Sequence, residues 1–237
     1  RLKTYHTILT TPIITRIVNP EEYGMFSIFN LYANIAVMVF CVGLDQGLVR
    51  FYYKYDDISY KKKLINQCVS IPICVCIIVS IILFPLIKSG IIKFEFSTEI
   101  YYILVICVIF QLVCRISVLV IRLEYHSTSY SLIHIAYKIL YAGLIILLVK
   151  MFAGNDLLMM AIAITSAYLI CSALCVFCER RVWLSKSNDS KFTIDRKSLL
   201  LYGFPFILSM GITTVFQGID KMSLNHFCSY SEVGIYS

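Results

Sequence analysis

Polar side chains recur at helical spacing in and just beyond the apolar stretch 100–120. Gln111, Arg115 and Arg122 are four and seven residues apart, which places them on one face of an α-helix. Charge is costly in lipid, so an ionisable group inside a membrane segment usually faces a cavity or a partner and is a functional candidate. This face therefore indicates a polar, cationic lining for a binding cavity.

The next apolar stretch, 130–149, carries a second polar stripe. It includes His134 and Lys138, one helical turn apart. The end of the first stretch and the start of the second lie on the same side of the membrane. At 1.5 Å per residue, Arg115 lies about 10 Å and Lys138 about 12 Å from that side. The matching depths predict a basic patch in a shared cavity, with Gln111 and His134 beside it. The alternative is that both cations extend along the apolar surface to the lipid headgroups.

Polar residues also occur in the earlier stretch 24–49. Asn30 and Asn34 are one turn apart, and they either line the same cavity or hydrogen-bond a neighbouring helix. Asp45 and Arg50 stand near the end of this stretch. We expect them to pair with each other, and the alternative is contact with a lipid headgroup.

The composition requires membrane helices to position these side chains. Of 237 residues, 59% are hydrophobic and 15% are charged, whereas soluble domains carry about 45–50% and about 25%. A transmembrane helix needs about 20 mostly apolar residues. The apolar runs are 7–15, which is only half a span, then 24–49, 64–87, 100–120, 130–149, 157–177, 199–219 and 233 onward. The sequence therefore predicts an all-α polytopic membrane bundle with about seven transmembrane helices and the start of an eighth.

The distribution of basic residues predicts the orientation. One set of loops holds fourteen lysines and arginines and the opposite set holds five. Cytoplasmic loops carry the excess of positive charge, so the N-terminus is predicted to be cytoplasmic. Because the charge lies in these loops, the net charge of +7 gives no reason to expect a nucleic-acid partner.

A short motif near the start recurs near the end. At a shift of 210 residues, Glu22, Gly24 and Ser27 recur as Glu232, Gly234 and Ser237, and a charged helix end precedes each copy, at Arg16 and at Asp220-Lys221. Both copies follow an outward-running helix, which predicts parallel six-helix repeats. The first copy, Pro20 to Gly24, is interpreted as a polar turn between helices that forms the outer-face hinge of one repeat unit.

The repeat predicts two units. Residues 1–197 form a first six-helix unit, with a truncated first helix and a basic cytoplasmic linker at 179–197, and residues 198–237 begin the second. Pro12 and Pro205 lie in corresponding helices of the two units. Matched interruptions of this kind point to a transport pathway, and the alternative is an inert kink.

Catalytic and metal-binding patterns are absent from the sequence. It contains no phosphate-binding glycine loop, no HExxH and no GxSxG. Nine of the ten cysteines lie in or beside apolar runs without histidine or acidic partners at metal-ligand spacing. We therefore predict no catalytic residues, no metal site and no cofactor, apart from a coupling ion such as H⁺ or Na⁺, and we do not expect an enzyme.

Three blocks of residues resemble one membrane-protein family. They are Pro12 to Gly24, Gly43 to Tyr52, and Leu201 to Ser209 followed by Gly218 to Lys221 and Val233 to Ser237. These blocks resemble the helix ends of bacterial polysaccharide-biosynthesis flippases, which export O-antigen, capsule and exopolysaccharide units. These flippases belong to the superfamily of multidrug, oligosaccharidyl-lipid and polysaccharide exporters.

The resemblance implies a two-lobed fold around a central cavity, of which this chain is an N-terminal fragment. The implied substrate is an oligosaccharide on a polyprenyl diphosphate, moved from the inner to the outer leaflet of the bacterial inner membrane. The implied partners are membrane lipids, a polysaccharide polymerase and glycosyltransferases. A diphosphate is an anion, so Arg115 and Lys138 suit its passage, and we expect alanine at either position to block export.

Two other functions stay open. A cation-coupled multidrug exporter would favour acidic cavity residues, and only Asp45 and Asp220 qualify, both near interfaces. An integral-membrane polymerase or glycosyltransferase would need a long outer loop or an acidic site, and the sequence shows neither.

Overall fold

The predicted all-α architecture is confirmed. The computed structural model describes residues 18–91, 94, 96–124, 127–151, 155–183, 195–227 and 230–236, and these residues form nine helices without a strand. The helices are α1 (Pro20–Cys41), α2 (Leu44–Phe51), α3 (Ile58–Lys88), α4 (Thr98–Leu123), α5 (Ser127–Met151), α6 (Asp156–Cys178), α7 (Arg180–Trp183), α8 (Arg196–Phe227) and α9 (Tyr230–Tyr236).

Five of these helices, α1, α3, α4, α5 and α6, are long and apolar enough to cross a membrane. The protein is therefore a multi-pass membrane protein. The predicted seventh span, 199–219, lies within the 32 residues of α8. The predicted half span 7–15, with Pro12, and the following Arg16 lie outside the described residues.

The motif Pro20 to Gly24 is the first turn of a helix, and its interpretation as a polar turn is wrong. Asn19 is the N-cap, and its side chain accepts a hydrogen bond of 3.4 Å from the backbone N–H of Glu21. Proline is favoured at the first helical position, and carboxylates in the first turn complement the helix dipole. Asn-Pro-Glu-Glu is therefore a helix start, four residues before the predicted one.

The predicted continuous helix 24–49 is also wrong, because the backbone breaks between α1 and α2. Val42 has φ 50° and Gly43 has φ 66°, both in the left-handed region. Glycine adopts this region freely, whereas a β-branched residue there is unusual. The break re-aims α2 relative to α1 and so sets the direction of Asp45.

One hydrophobic core of the bundle is formed by α1, α4, α5 and α6. Small residues let α6 approach its neighbours closely, as is typical of membrane helices. Ala161 and Ala163 are fully buried against a cluster that includes Phe29, Cys107 and Ile145. This packing leaves the other ends of α4 and α5 to line a cavity.

The two copies of the repeated motif pack against each other. A Cβ atom added to Gly24 would overlap the carbonyl oxygen of Tyr230, and one added to Gly234 would overlap the carbonyl oxygen of Pro20. Since 20 and 230, like 24 and 234, are 210 residues apart, the contact is reciprocal. Reciprocal contacts are what a twofold relation produces. The division into units 1–197 and 198–237 stays a prediction.

A second close contact joins α2 to α8 at the opposite end of α1. A Cβ atom on Gly43 would overlap the carbonyl oxygen of Gly203, and one on Gly203 would lie 2.7 Å from the carbonyl oxygen of Val42. The backbones of α8 and of the α1–α2 break therefore touch directly.

A polar cluster holds the connection between α2 and α3 against the end of α4. The Tyr52 hydroxyl donates a hydrogen bond of 2.6 Å to Glu124, and the Lys61 ammonium lies 3.0 Å from the same carboxylate oxygen. Burial and the bond to Glu124 raise the pKa of Tyr52. The phenol therefore stays protonated and remains a donor.

Candidate functional site

A cavity of about 480 Å³ opens between α1, α2, α4, α5 and α6, within the range of about 300–1,000 Å³ typical of small-molecule sites. Along α4 it extends from Gln111 to Arg122, about 16 Å at 1.5 Å per residue. It therefore reaches from one end of the bundle towards its middle. The lining side chains are those of Asn34, Val37, Asp45, Gln46, Gln111, Cys114, Arg115, Val118, Leu119, Arg122, Tyr130, Ile133, His134, Tyr137, Tyr168 and Cys171.

An ion pair forms one wall of the cavity. Arg115 Nη2 lies 2.6 Å from Asp45 Oδ2, and the other oxygen of Asp45 accepts the Gln46 N–H at 2.9 Å. The Asp45 side chain is 6% exposed and the Arg115 side chain is 35% exposed. Some N–H donors of the paired guanidinium therefore still face the cavity.

The expected pairing of Asp45 with Arg50 is wrong. Five residues on a helix turn by about 140°, so the two side chains leave α2 in different directions. Arg50 is exposed, and its guanidinium lies 5.6 Å from the centroid of the Tyr202 ring on α8.

Arg122 provides a second cation at the end of the cavity. It is exposed, and no ion pair is found for it in the part of the chain that the structure describes. It lies on the same face of α4 as Arg115, two turns further along. Because Asp45 neutralises Arg115, the positive charge of the cavity comes chiefly from Arg122.

Gln111 closes the deeper end of the cavity. Its side chain is buried, with 7% exposure, and its Oε1 accepts no hydrogen bond from the described residues. A buried acceptor without a donor costs about 1–3 kcal/mol. The site is therefore suited to a ligand that donates a hydrogen bond, such as a hydroxyl group.

Aromatic side chains from α5 and α6 complete the lining. The rings of Tyr130 and His134 are 4.6 Å apart between centroids, and those of Tyr137 and Tyr168 are 4.8 Å apart. Such rings offer flat apolar faces with polar edges. Tyr137 and Tyr168 were not predicted as site residues. Tyr137 lies one turn from His134, so the helical spacing could have identified it.

The structure brings four of the six candidate substrate-binding residues into one cavity: Gln111, Arg115, His134 and Asn34. Lys138 and Asn30 do not line it. On α5, Lys138 is turned by about 80° from Tyr130, at the edge of the lining face, and Asn30 lies one turn of α1 beyond Asn34. The basic patch therefore combines Arg115 with Arg122 and not with Lys138.

Two of the motif residues, Glu22 and Asp220, make structural contacts away from the cavity. Glu22 accepts a hydrogen bond of 2.8 Å from the backbone N–H of Leu157, in the first turn of α6. Asp220 accepts one of 3.2 Å from the Tyr236 hydroxyl. Pro205 lies inside α8, and the side chain of Lys221 lies outside the description.

Cysteines line one side of the cavity without forming a metal site. Cys114 and Cys171 have their sulfur atoms 3.4 Å apart. Among the described residues, no group of three or more histidines, cysteines and acids is placed to hold a metal ion.

The comparisons with known proteins identify the family. The family model described as polysaccharide biosynthesis protein matches residues 4–237. Searches of curated proteins and of solved structures gave no significant match. The matched range covers nearly the whole chain and contains the three blocks on which the resemblance depends. The chain belongs to the family of polysaccharide biosynthesis proteins.

Proposed function

We propose that this protein acts as a flippase, which moves a polyprenyl-diphosphate-linked oligosaccharide from the inner to the outer leaflet for surface polysaccharide assembly. The observation that carries the proposal is the cavity itself. It combines two arginines, Arg115 and Arg122, with the buried acceptor of Gln111, between helices long enough to cross a membrane.

The cations suit the diphosphate. Moving an anion across a low-dielectric layer requires compensating charge, and guanidinium groups bind phosphate oxygens by paired hydrogen bonds. Arg122 is exposed at the end of the cavity that we predict to be cytoplasmic, so the headgroup meets it first. Arg115 lies about 10 Å deeper along α4, at 1.5 Å per residue.

The deeper lining suits a sugar. Gln111 offers an acceptor to a hydroxyl group, and the lining beside it includes the aromatic rings of Tyr137 and Tyr168, which pack on each other. Sugars combine hydroxyl groups with apolar ring faces, so they match this lining. A flat hydrophobic drug would leave the Gln111 acceptor unpaired.

A cation-coupled multidrug exporter has less support. Such a protein needs a carboxylate that is available to a cation, and Asp45, the acid found in the cavity lining among the described residues, is held by Arg115 at 2.6 Å. The coupling ion, H⁺ or Na⁺, the polymerase and glycosyltransferase partners, and the bacterial inner membrane with a cytoplasmic N-terminus remain part of the proposal.

Binding of a short lipid diphosphate tests the proposal. The affinity of the purified full-length protein is measured for farnesyl diphosphate, farnesyl monophosphate and farnesol. We expect affinity to fall in that order, because the arginines contact phosphate. Arg122→Ala should weaken farnesyl diphosphate binding by about 10- to 150-fold, since a hydrogen bond to a charged group contributes about 1.5–3 kcal/mol.

Arg180→Ala is the matched control, because Arg180 is exposed and lies outside the cavity, over the ring of Phe177. It should leave all three affinities unchanged. Equal binding of farnesol and farnesyl diphosphate would contradict the proposed substrate class. An equal effect of Arg122→Ala and Arg180→Ala would contradict the proposed site.

A further inference from the structure

Asp45 is an unexpected component of a site for an anion. A carboxylate in the cavity wall repels a diphosphate, and burial of charge in a membrane bundle is costly. Its two oxygens are engaged by different groups, one by Arg115 on α4 and one by the Gln46 N–H of its own helix. Asp45 therefore connects α4 to α2 through a single side chain.

The contact between Asp45 and Arg115 is one that phosphate could replace. Arginine has five N–H donors in a planar fork, and carboxylate and phosphate oxygens compete for the same fork. The guanidinium is more exposed than the carboxylate, 35% against 6%. A ligand can thus approach Arg115 from the cavity while Asp45 holds it from the wall.

Helix α2 carries Asp45 on one side and the contact with α8 on the other. Its contact with α8 includes the backbone of Gly43 against Gly203 and the side chain of Leu199 against Gly47. The Tyr202 ring packs edge-on against Phe51, with 5.9 Å between centroids. A change at Asp45 would therefore act on a helix of only eight residues whose other side is already engaged.

The left-handed break at Val42 and Gly43 separates this short helix from α1. A helix that continued from α1 to the end of α2, Pro20 to Phe51, would be held along 32 residues, whereas α2 is joined to α1 through two residues in a conformation that valine seldom adopts. Such positions commonly occur at switch regions, where the surrounding contacts maintain the conformation. The break is therefore the place at which a shift of α2 relative to α1 would be accommodated.

We propose that Asp45 is a displaceable counter-ion of Arg115, and that α2 transmits its displacement by a lipid diphosphate to the contact between α2 and α8. This inference rests on the proposed function for the identity of the ligand. In the empty cavity Asp45 neutralises Arg115 and fixes α2. When the diphosphate takes over Arg115, Asp45 loses its partner and α2 loosens against α8.

The first test compares farnesyl diphosphate affinity in full-length wild-type protein and in Asp45→Asn. Removal of the competitor should strengthen binding about tenfold, within the usual 5–150-fold range of coupling between sites. Asp56→Asn makes the same charge change at an exposed acid and should leave affinity unchanged. In the Arg115→Ala background, Asp45→Asn should strengthen binding clearly less, because the difference between the two backgrounds is the coupling that the double-mutant cycle isolates.

The second test needs no substitution. Hydrogen exchange of segments 44–51 and 196–206 is followed by mass spectrometry in the wild-type protein, with farnesyl diphosphate or farnesol. We expect the diphosphate to accelerate exchange in both segments and farnesol to leave them unchanged. Asp45→Asn without ligand should accelerate them as well, and Asp56→Asn should not.

The outcomes separate the two proposals. If wild-type and Asp45→Asn proteins bind farnesyl diphosphate equally and the two segments exchange at constant rates, the counter-ion inference is wrong and the flippase proposal stands. If neither protein prefers the diphosphate over farnesol, both proposals are contradicted. Tighter binding without faster exchange would retain Asp45 as a competitor and overturn its role in transmission.

Discussion

Two contacts between glycines join the first helices of this protein to the last ones, and they differ in what surrounds them. At one end, Gly24 and Gly234 pack reciprocally on each other's helix backbone. At the other end, Gly43 packs on Gly203 at a left-handed break. Asp45, two residues after Gly43, is bonded to Arg115 in the cavity wall.

The comparison shows that a close contact between glycines can have different structural roles. The Gly24–Gly234 contact lies within regular helix on both sides, and a reciprocal pairing gives a well-defined joint. The Gly43–Gly203 contact depends on a strained backbone and lies beside a charge pair open to the cavity. We infer that the first contact is fixed and that the second responds to ligand.

The largest expected effect comes from breaking the charge pair beside the second contact. Arg115→Ala leaves Asp45 buried without its partner, so it should destabilise the protein by about 3–5 kcal/mol, measured from unfolding in detergent. Arg115→Ala/Asp45→Asn should recover most of that loss, because the uncompensated charge is gone. Equal stability of the single and double variants would show that the pair contributes little.

The backbone at the second contact should show the next largest effect. Gly43→Ala places a side chain at φ 66°, which costs about 1–2 kcal/mol, and overlaps Gly203, for which overpacking adds about 1–3 kcal/mol. Gly90→Ala is the matched control, since Gly90 has φ 75° and no atom within 4 Å of the added Cβ. It should show the conformational cost alone, and an equal loss in both variants would argue against a tight contact with α8.

At the first contact, protein stability should depend only on the volume of the added side chain, because both glycines have ordinary helical backbone. Gly24→Ala and Gly234→Ala should each destabilise the protein by about 1–3 kcal/mol, and they should do so equally because their surroundings are reciprocal. Gly143→Ala, where no atom lies within 4 Å, should instead stabilise by up to about 1 kcal/mol. Clearly unequal losses for Gly24 and Gly234 would weaken the twofold relation.

The smallest effect is expected at Glu22, near the first contact. Glu22→Gln keeps an acceptor for the Leu157 N–H but removes the charge at the start of α6. Charge at a helix N-terminus contributes about 0.3–1 kcal/mol. The free energy of unfolding should therefore fall by that amount, and by less at high salt. Glu99→Gln, at an exposed first-turn acid of α4, is the control. A salt-independent loss in Glu22→Gln would indicate lost packing.

The sequence predicts the helices of this fold well because membrane spans are long apolar runs with few alternatives. The shared location of Gln111, Arg115 and His134 in one cavity was also predictable, since helical spacing determines which side chains share a face. The three blocks of the resemblance are enough to identify the family.

The break at Val42 and Gly43 could not be predicted with equal ease. Its residues are as apolar as their neighbours, and a left-handed turn depends on the close approach of Gly203, 160 residues away in the chain. The partner of Arg115 depends on that break. The N-terminal turn at Pro20 was predictable, because asparagine before proline and two acids is a recognised start of a helix.

Transport in proteoliposomes tests the central claim that cavity arginines carry a lipid diphosphate across the membrane. Full-length protein is reconstituted with a fluorescent polyprenyl diphosphate sugar, and its appearance in the opposite leaflet is followed by quenching with a membrane-impermeant reductant. We expect wild-type protein to move the lipid and Arg115→Ala/Asp45→Asn/Arg122→Ala to resemble protein-free vesicles. Transport by that charge-neutral cavity at the wild-type rate would contradict the account.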